Sequence, residues 1–518
     1  MTLVDRRSTA LAWLAVGLAI GFATWRLAVV AAGVPLWYDE LLTVRVSEVE
    51  GVANLWRAIG AGFDFTPPLI YVATKAAHAI HPADPLGARL PALAGFVLFA
   101  VGLVRWLTPR VGAWAAAAAV ALTPLADYTV RYAVEARPYM LLLGVSMWAL
   151  VCWQRLRDRP GAAAAVGFWA LLTCALLLHV WAGLLLMAMG AGELAAAVRS
   201  RAVRWRVAIP MAAALPVLGI HAMLLRGTKT MVFENAAYLP STAKLTAALL
   251  SAVPRPRVLA ATLVVAAIAG WLARRKAHGA PTEAVAGPAL PHGLAADERV
   301  MLLACVLSPL VPFIYATIGR SPFMPRYALY SLLGVVCLSS DLLRVLARPA
   351  RHGPMAAALV ALVGLGRYLP ARTQPIVGTQ TSVADALAGA HGLPDGVPIV
   401  LVNPIDVLTF EMHASDAWLA RSVFVADGAL ARAYTGTDAI DLGYIRGEPY
   451  LRLRSKRLEY GDLQHHERLL LVGKWQTLTW LPQRLRDDGW RIERWGGTPQ
   501  APIYDAIRPA LATVGPAR

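Results

Sequence analysis

Apolar residues dominate the first 370 positions in long blocks, several of them separated by short stretches rich in arginine. Blocks near 10–32, 88–107, 111–126, 138–153, 161–178, 182–198, 207–225, 258–272, 300–318, 326–343 and 355–370 have the length and character of membrane-crossing helices. That predicts about eleven transmembrane helices, several of them shorter than the usual ~20 residues. After Leu369 the pattern changes. Short β-like runs, "PIVLVN" (398–403), "SVFVAD" (422–427) and "RLLLVG" (468–473), alternate with helical stretches such as "WQTLTWLPQRLRDDGW" (475–490). Residues 371–518 therefore read as a small soluble α/β domain. It has no G-x-G-x-x-G and no Walker-type loop, so nothing in it argues for nucleotide binding.

Composition agrees. Of 518 residues, 58% are hydrophobic and only 16% charged, with a mean hydropathy of +0.53. A soluble chain is nearer half apolar and a quarter charged, so this is a polytopic α-helical membrane protein. The net charge of +17 lies entirely in residues 1–370, which hold 33 basic and 16 acidic residues; 371–518 hold 16 of each. A domain boundary near 370 follows. The four cysteines, Cys152, Cys174, Cys305 and Cys337, fall in apolar runs without a CxxC and read as packing residues. Arg6 and Arg7 precede the first block, which lacks a cleavage-like site and reads as a retained helix.

Charge sets the expected topology. Compact loops carry Arg155/Arg157/Arg159, Arg199/Arg201/Arg204/Arg206, Arg274/Arg275/Lys276 and Arg344/Arg348/Arg351, all on the side of Arg6 and Arg7. The positive-inside rule makes that side cytoplasmic. An odd number of spans then places 371–518 outside, together with the loops 33–87, 127–137, 226–257 and 319–325. Within the long first loop, "VANLWRAIGAGF" puts Val52, Trp56, Ile59 and Phe63 on one helical face. That suits a helix lying in the membrane interface or one packed on the protein.

The candidate chemistry collects on the outer side. Asp39 and Glu40 close the first apolar run in "VPLWYDELLT". Arg26, Asp64, Arg89, Arg131, Glu135, Arg137, Lys229 and Arg326 fall on the same face. Arg26 lies inside the first span, a position that marks function by default although the side chain can snorkel. Arg131 and Glu135 would form an i,i+4 pair if their loop is helical. Any one of these arginines could be structural. Several of them facing a carboxylate pair at one membrane surface offer a base together with bidentate phosphate binders. Glycosyl transfer from a lipid-linked phosphosugar needs both.

The ordered segments "WRLAVVAAGVPLWYDE", "DFTPPLIY", "ARLPALAG", "LTPLADYTVRYAVEARPYMLL" and "PFMPRYALY" resemble the GT-C glycosyltransferases. Among these the chain is similar to the protein O-mannosyltransferase-like bacterial group, which includes the lipid A aminoarabinose transferases and the RgtA/B/C/D-like sugar transferases. The resemblance runs from about Arg26 to Leu143 and again around Arg326. It implies a GT-C transmembrane domain over 1–370, a polyprenyl-phosphate-linked sugar donor, and inverting transfer to a lipid, glycan or protein acceptor. It also implies action at the outer face of a bacterial inner membrane, among membrane lipids and with no nucleic acid. Asp39 matches the family's first-loop acid and takes the role of general base, with Glu40 in support. Arg131, Arg137 and Arg326, with Arg26 and Lys229, would bind the donor phosphate. Tyr139 and Tyr327 would donate hydrogen bonds. Asp64 and Glu135 are secondary candidates for the acceptor or a metal. Thr66 stands where the family often has histidine, which weakens a metal site, although a divalent cation stays open; His78, His81 and His179 show no ligand spacing. A flippase for lipid-linked sugars, or a ligase using a diphosphate donor, would share the arginines and the polytopic frame. A flippase would need neither the acid pair on a long first loop nor a soluble outer domain, whereas only the resemblance favours a monophosphate donor over the diphosphate donor of a ligase.

Overall fold

All eleven apolar blocks fold as helix in the computed structural model. It describes every residue except 1–2, 63, 65, 83–84, 225, 227–229, 278–292, 348–351, 374–382 and 509–518. Among the described residues, nine stretches are long and apolar enough to cross a membrane. The chain is a multi-pass membrane protein. Two of the eleven blocks are not single long straight spans. The helix Ala113–Leu122 runs into a 3-10 turn at Thr123–Leu125, and the chain bends by 69° into the helix Asp127–Ala133. Pro124 in that turn removes a backbone donor and stops the ladder. The block at 161–178 forms a helix of only 17 residues, Ala162–Leu178.

The chain divides into two compact units. The first comprises 1–34, 66–222 and 240–378; the second comprises 35–65, 223–239 and 379–518. In the first unit, helices Leu86–Val111 and Tyr139–Asp158 pack along each other. A Cβ on Gly95 would lie 2.4 Å from the Cα of Leu141, and one on Gly144 would lie 2.5 Å from the carbonyl oxygen of Gly95. Only hydrogen fits between the two backbones, as in small-residue contacts between membrane helices.

Both helices end on one carboxylate. Arg110 donates from Nε to Oε2 of Glu298 at 3.0 Å, and from Nη2 to Oε1. Arg157 reaches Glu298 at 3.2 Å and Asp297 at 2.7 Å. Arg204 joins from another loop, 3.1 Å from Asp297 and 3.3 Å from Glu193. Arg344 and Arg299 share Asp341. Of the basic clusters, Arg157, Arg199, Arg204 and Arg344 thus have carboxylate partners within the protein. Arg348 and Arg351 lie outside the described residues.

The second unit is built on a six-stranded sheet in the order β3-β2-β1-β4-β6-β5. The strands are β1 (Ile399–Leu401), β2 (Ser422–Val425), β3 (Lys456–Leu458), β4 (Arg468–Val472), β5 (Arg491–Gly497) and β6 (Pro502–Ile507). β3, β2, β1 and β4 are parallel, and the β5–β6 hairpin closes the β4 edge antiparallel. The three β-like runs become β1, β2 and β4. Within 475–490 the α-helix is shorter than the pattern suggests, Leu481–Asp487. Trp480, Leu485 and Trp490 pack on Leu469 and Leu471 in its core. The stretch at 232–238 joins through Phe233, which bridges to Thr437, and through Val232, whose N–H donates to Asp438 at 2.7 Å.

The Arg110–Glu298 pair gives a direct test of the charged end. Replacing Glu298 with Gln leaves a buried guanidinium without its counter-charge, a change that costs about 3–5 kcal/mol. Thermal unfolding in detergent, followed by circular dichroism, should show a clear loss of Tm in E298Q.

Candidate functional site

The adjacent acids have unequal surroundings. Trp37 is extended and caps the helix Tyr38–Ser47, and Glu40 at its third position accepts the Trp37 N–H at 3.2 Å. Glu40 is 1% exposed. One of its oxygens therefore serves the helix start, in the pattern of a capping box. Asp39 is half-exposed, one position earlier in the same first turn, where the helix dipole favours a carboxylate.

Around Tyr38 the second unit gathers polar groups from distant segments. Burial pushes the Tyr38 hydroxyl above its ordinary value. Asp39, Asp64, Tyr238 and Asp441 raise it further. Its ring lies 6.3 Å from that of Tyr444, whose hydroxyl donates to the carbonyl of Pro404 at 2.7 Å. Helix Tyr38–Ser47 packs on helices Asp406–His413 and Ala439–Leu451. The chain passes from β1 to β2 on one side and returns to β4 on the other, so β1/β4 is a topological switch point, where open α/β sheets usually hold ligands. Asn403 and Asp406 follow β1 there, and Gly473 follows β4. Gly473 has φ +121°, and a Cβ on it would lie 3.1 Å from Oδ2 of Asp406. Burial pushes the Asp406 carboxyl up to about 6.

In the first unit a cationic cluster forms where helices Ala162–Leu178, Tyr139–Asp158 and Leu329–Leu346 meet short turns. Arg137 is buried and donates to Oγ1 of Thr66 at 3.1 Å. Arg326 lies over the Tyr139 ring, 5.9 Å from its centroid. The Tyr139 ring in turn lies 5.5 Å from His179 and 4.7 Å from Tyr132. Tyr327 packs on Trp181 at 4.4 Å, and the Tyr128 hydroxyl donates to the Pro325 carbonyl. His179 sits well below the usual histidine value, first through burial and then through Arg326, Arg137 and His221. The Trp181 N–H donates to Nδ1 of His179 at 3.2 Å, which leaves the proton of the neutral ring on Nε2.

The structure thus brings Arg137, Arg326, Tyr139 and Tyr327 together and adds His179, which sequence spacing had set aside. Its signal was positional: it ends an apolar helix beside Trp181. Arg131 pairs with Glu135 at 3.6 Å, although the helix stops at Ala133, and its side chain is 62% exposed. Arg26 lies against the Trp25 ring within the helix Leu3–Gly33. Arg89 is buried and donates to the carbonyls of Ala31 and Val34 at 2.8 and 2.6 Å, closing the end of that helix. Lys229 and Phe63 lie outside the described residues. Asp64 is buried in the second unit. Among the described residues no three His, Cys, Asp or Glu side chains converge as a metal ligand set.

No family model and no curated protein matches the chain. Among solved structures, ArnT from Cupriavidus metallidurans bound to undecaprenyl phosphate aligns over 95% of this chain and 97% of its own, with a TM-score of 0.54 at 13% identity. The chain has the GT-C fold. The apo form of the same ArnT aligns over 96% and 98%, at 15% identity and a TM-score of 0.48. The Archaeoglobus fulgidus oligosaccharyltransferase, in complex with Zn and sulfate, aligns over 88% of this chain and 67% of its own, at 10% identity and a TM-score of 0.43. At such identities the roles of side chains in this GT-C chain rest on their own geometry.

Asp441 gives a pH test of the polar cluster in the second unit. Its Oδ1 accepts from Trp480 Nε1 and from the Asp427 N–H, each at 3.1 Å, and burial pushes its carboxyl up to about 7. Between 3.8 and about 7 the folded chain keeps a proton that the unfolded chain has lost. Stability therefore declines as pH rises through that window and levels off above it. Asp441→Asn keeps the acceptor and removes the ionisation. Unfolding midpoints measured against pH should show D441N above the parent at pH 8, with a flatter slope below.

Proposed function

We propose that this protein is an inverting glycosyltransferase that moves a sugar from a polyprenyl-phosphate donor to an acceptor hydroxyl at the outer face of a bacterial inner membrane. The acidic first loop and the 371–518 domain stand on that outer side. The observation that carries the reading is the Arg137–Arg326–His179 cluster in a bundle with the fold of ArnT, a protein solved with undecaprenyl phosphate bound. Two guanidiniums that both act on a neutral imidazole donor suit a phosphate ester: the cations balance its charge, and Nε2–H adds a hydrogen bond without competing for a proton.

In the proposed reaction, Asp39 accepts the proton of the acceptor hydroxyl as its oxygen attacks C1 of the sugar. The C1–O bond to the phosphate breaks, and its electron pair leaves on the phosphate oxygen held by Arg137 and Arg326. A single displacement inverts C1. The good leaving group removes the need for the second carboxylic acid used in glycoside hydrolysis. Glu40 supports Asp39 by fixing the start of their shared helix. Tyr139 and Tyr327 shape the phosphate pocket, and no step is routed through a metal. The C-terminal unit seats the Asp39 helix through Tyr444 and the helices that leave its parallel strands.

Two measurements test this. Asp39→Asn should lower kcat by about 10²–10⁴, the usual contribution of a general base, while donor binding persists. Turnover or transport at the parental rate in D39N would overturn the assignment. Separately, R137A and R326A should each weaken polyprenyl-phosphate binding at least tenfold in a direct assay, and H179A by less. If R131A has the larger effect, the phosphate site is elsewhere.

A further inference from the structure

A cleft of about 260 Å³ opens in the second unit at the far end of the Asp39 helix. Its walls are Arg45, Glu48, Glu50 and Asn54 from the first loop, and Tyr450 and Arg452 from the end of helix Ala439–Leu451. We infer that this cleft is a saccharide subsite that holds the acceptor glycan beyond its reacting sugar; this rests on the glycosyl-transfer reading above.

Three features define the ligand. The cleft carries two arginines and two glutamates, so its side chains cancel in charge. Arg45 is already matched by Glu48 at 3.2 Å. Free phosphate or a cation would gain little there. A neutral ligand rich in hydroxyls needs donors and acceptors side by side. Guanidinium, carboxylate, amide and phenol supply both, and the Tyr450 ring adds a flat apolar face. The volume is near the lower end for small-molecule sites, a fit for one or two sugar rings rather than a lipid. Finally, the cleft shares a rigid element with the proposed base. Arg45 follows Asp39 by six residues on one helix, roughly 9 Å at 1.5 Å per residue. A glycan seated at one end of that helix would present its next unit toward the other.

Arg452 caps the helix Ala439–Leu451 with φ +49°, the left-handed region that glycine occupies without strain.

The test uses full-length protein in nanodiscs carrying Asp39→Asn, so that no transfer occurs. Methyl glycosides of glucose, galactose and mannose, and their disaccharides, are the probes, with binding read by saturation-transfer NMR. At least one saccharide should bind. N54A and R452G should weaken it tenfold or more with unfolding midpoints unchanged or, for R452G, raised, since glycine relieves the backbone there. No saccharide bound, or binding indifferent to both replacements, would overturn the proposal. Donor binding and turnover in the Asp39 series test the transfer reaction on a separate readout, so either conclusion can fail alone.

Discussion

The backbone of helix Leu86–Val111 meets that of Tyr139–Asp158 where Gly95 faces Gly144, with no room for a single added carbon on either. In a bilayer the hydrophobic effect does not press helices together, so close approach is what makes such a pair rigid. Much of the first unit depends on it. The two helices run parallel, since Arg110 and Arg157 at their ends reach the same Glu298. At the opposite end, the first carries Arg89, which closes the helix Leu3–Gly33, and the second begins with Tyr139 beneath Arg326. A rigid pair of rods thus fixes both a charged anchor and a cationic pocket, roughly 30 Å apart over the 20 residues of Tyr139–Asp158.

The two ends treat charge differently. At the Glu298 end, guanidiniums and carboxylates interlock, and their attraction offsets the cost of desolvating both. At the Tyr139 end, burial first, and then Arg326, Arg137 and His221, depress the proton affinity of His179.

In the second unit, a parallel sheet with a switch point is put to an unusual use. The carboxyl ends of its strands commonly receive a small ligand. Here helices leaving those ends receive the chain's own helix Tyr38–Ser47, with Tyr444 linking the ring of Tyr38 to the carbonyl of Pro404. The same low-dielectric setting raises the carboxyls of Asp406 and Asp441. The first-loop helix gains a fixed direction that a short free segment would not hold in water.

Sequence by itself determined the membrane class and the positions of the eleven long apolar blocks, because a bilayer demands such blocks; the shorter apolar helix Leu69–Ile80, inside the segment read as a loop, escaped it. It also distinguished β1, β2 and β4, whose continuous apolar runs reflect burial on both faces. Strands β3, β5 and β6 escaped it: β3 and β5 are mostly polar and exposed, and in β6 the buried Ile503 and Ala506 flank the polar pair Tyr504 and Asp505. The pair Asp39–Glu40, and its expected split into base and support, were read from the sequence and its resemblance. The tertiary structure added the capping hydrogen bond that turns Glu40 back to Trp37. Arg89 and Arg137 look alike in the chain; only tertiary contacts commit the first to helix-end carbonyls and place the second beside His179. The grouping of 35–65 and 223–239 with 379–518 was likewise a tertiary decision. Hydrophobic periodicity reports what each segment buries, whereas the partner it buries against is chosen by packing between residues hundreds of positions apart.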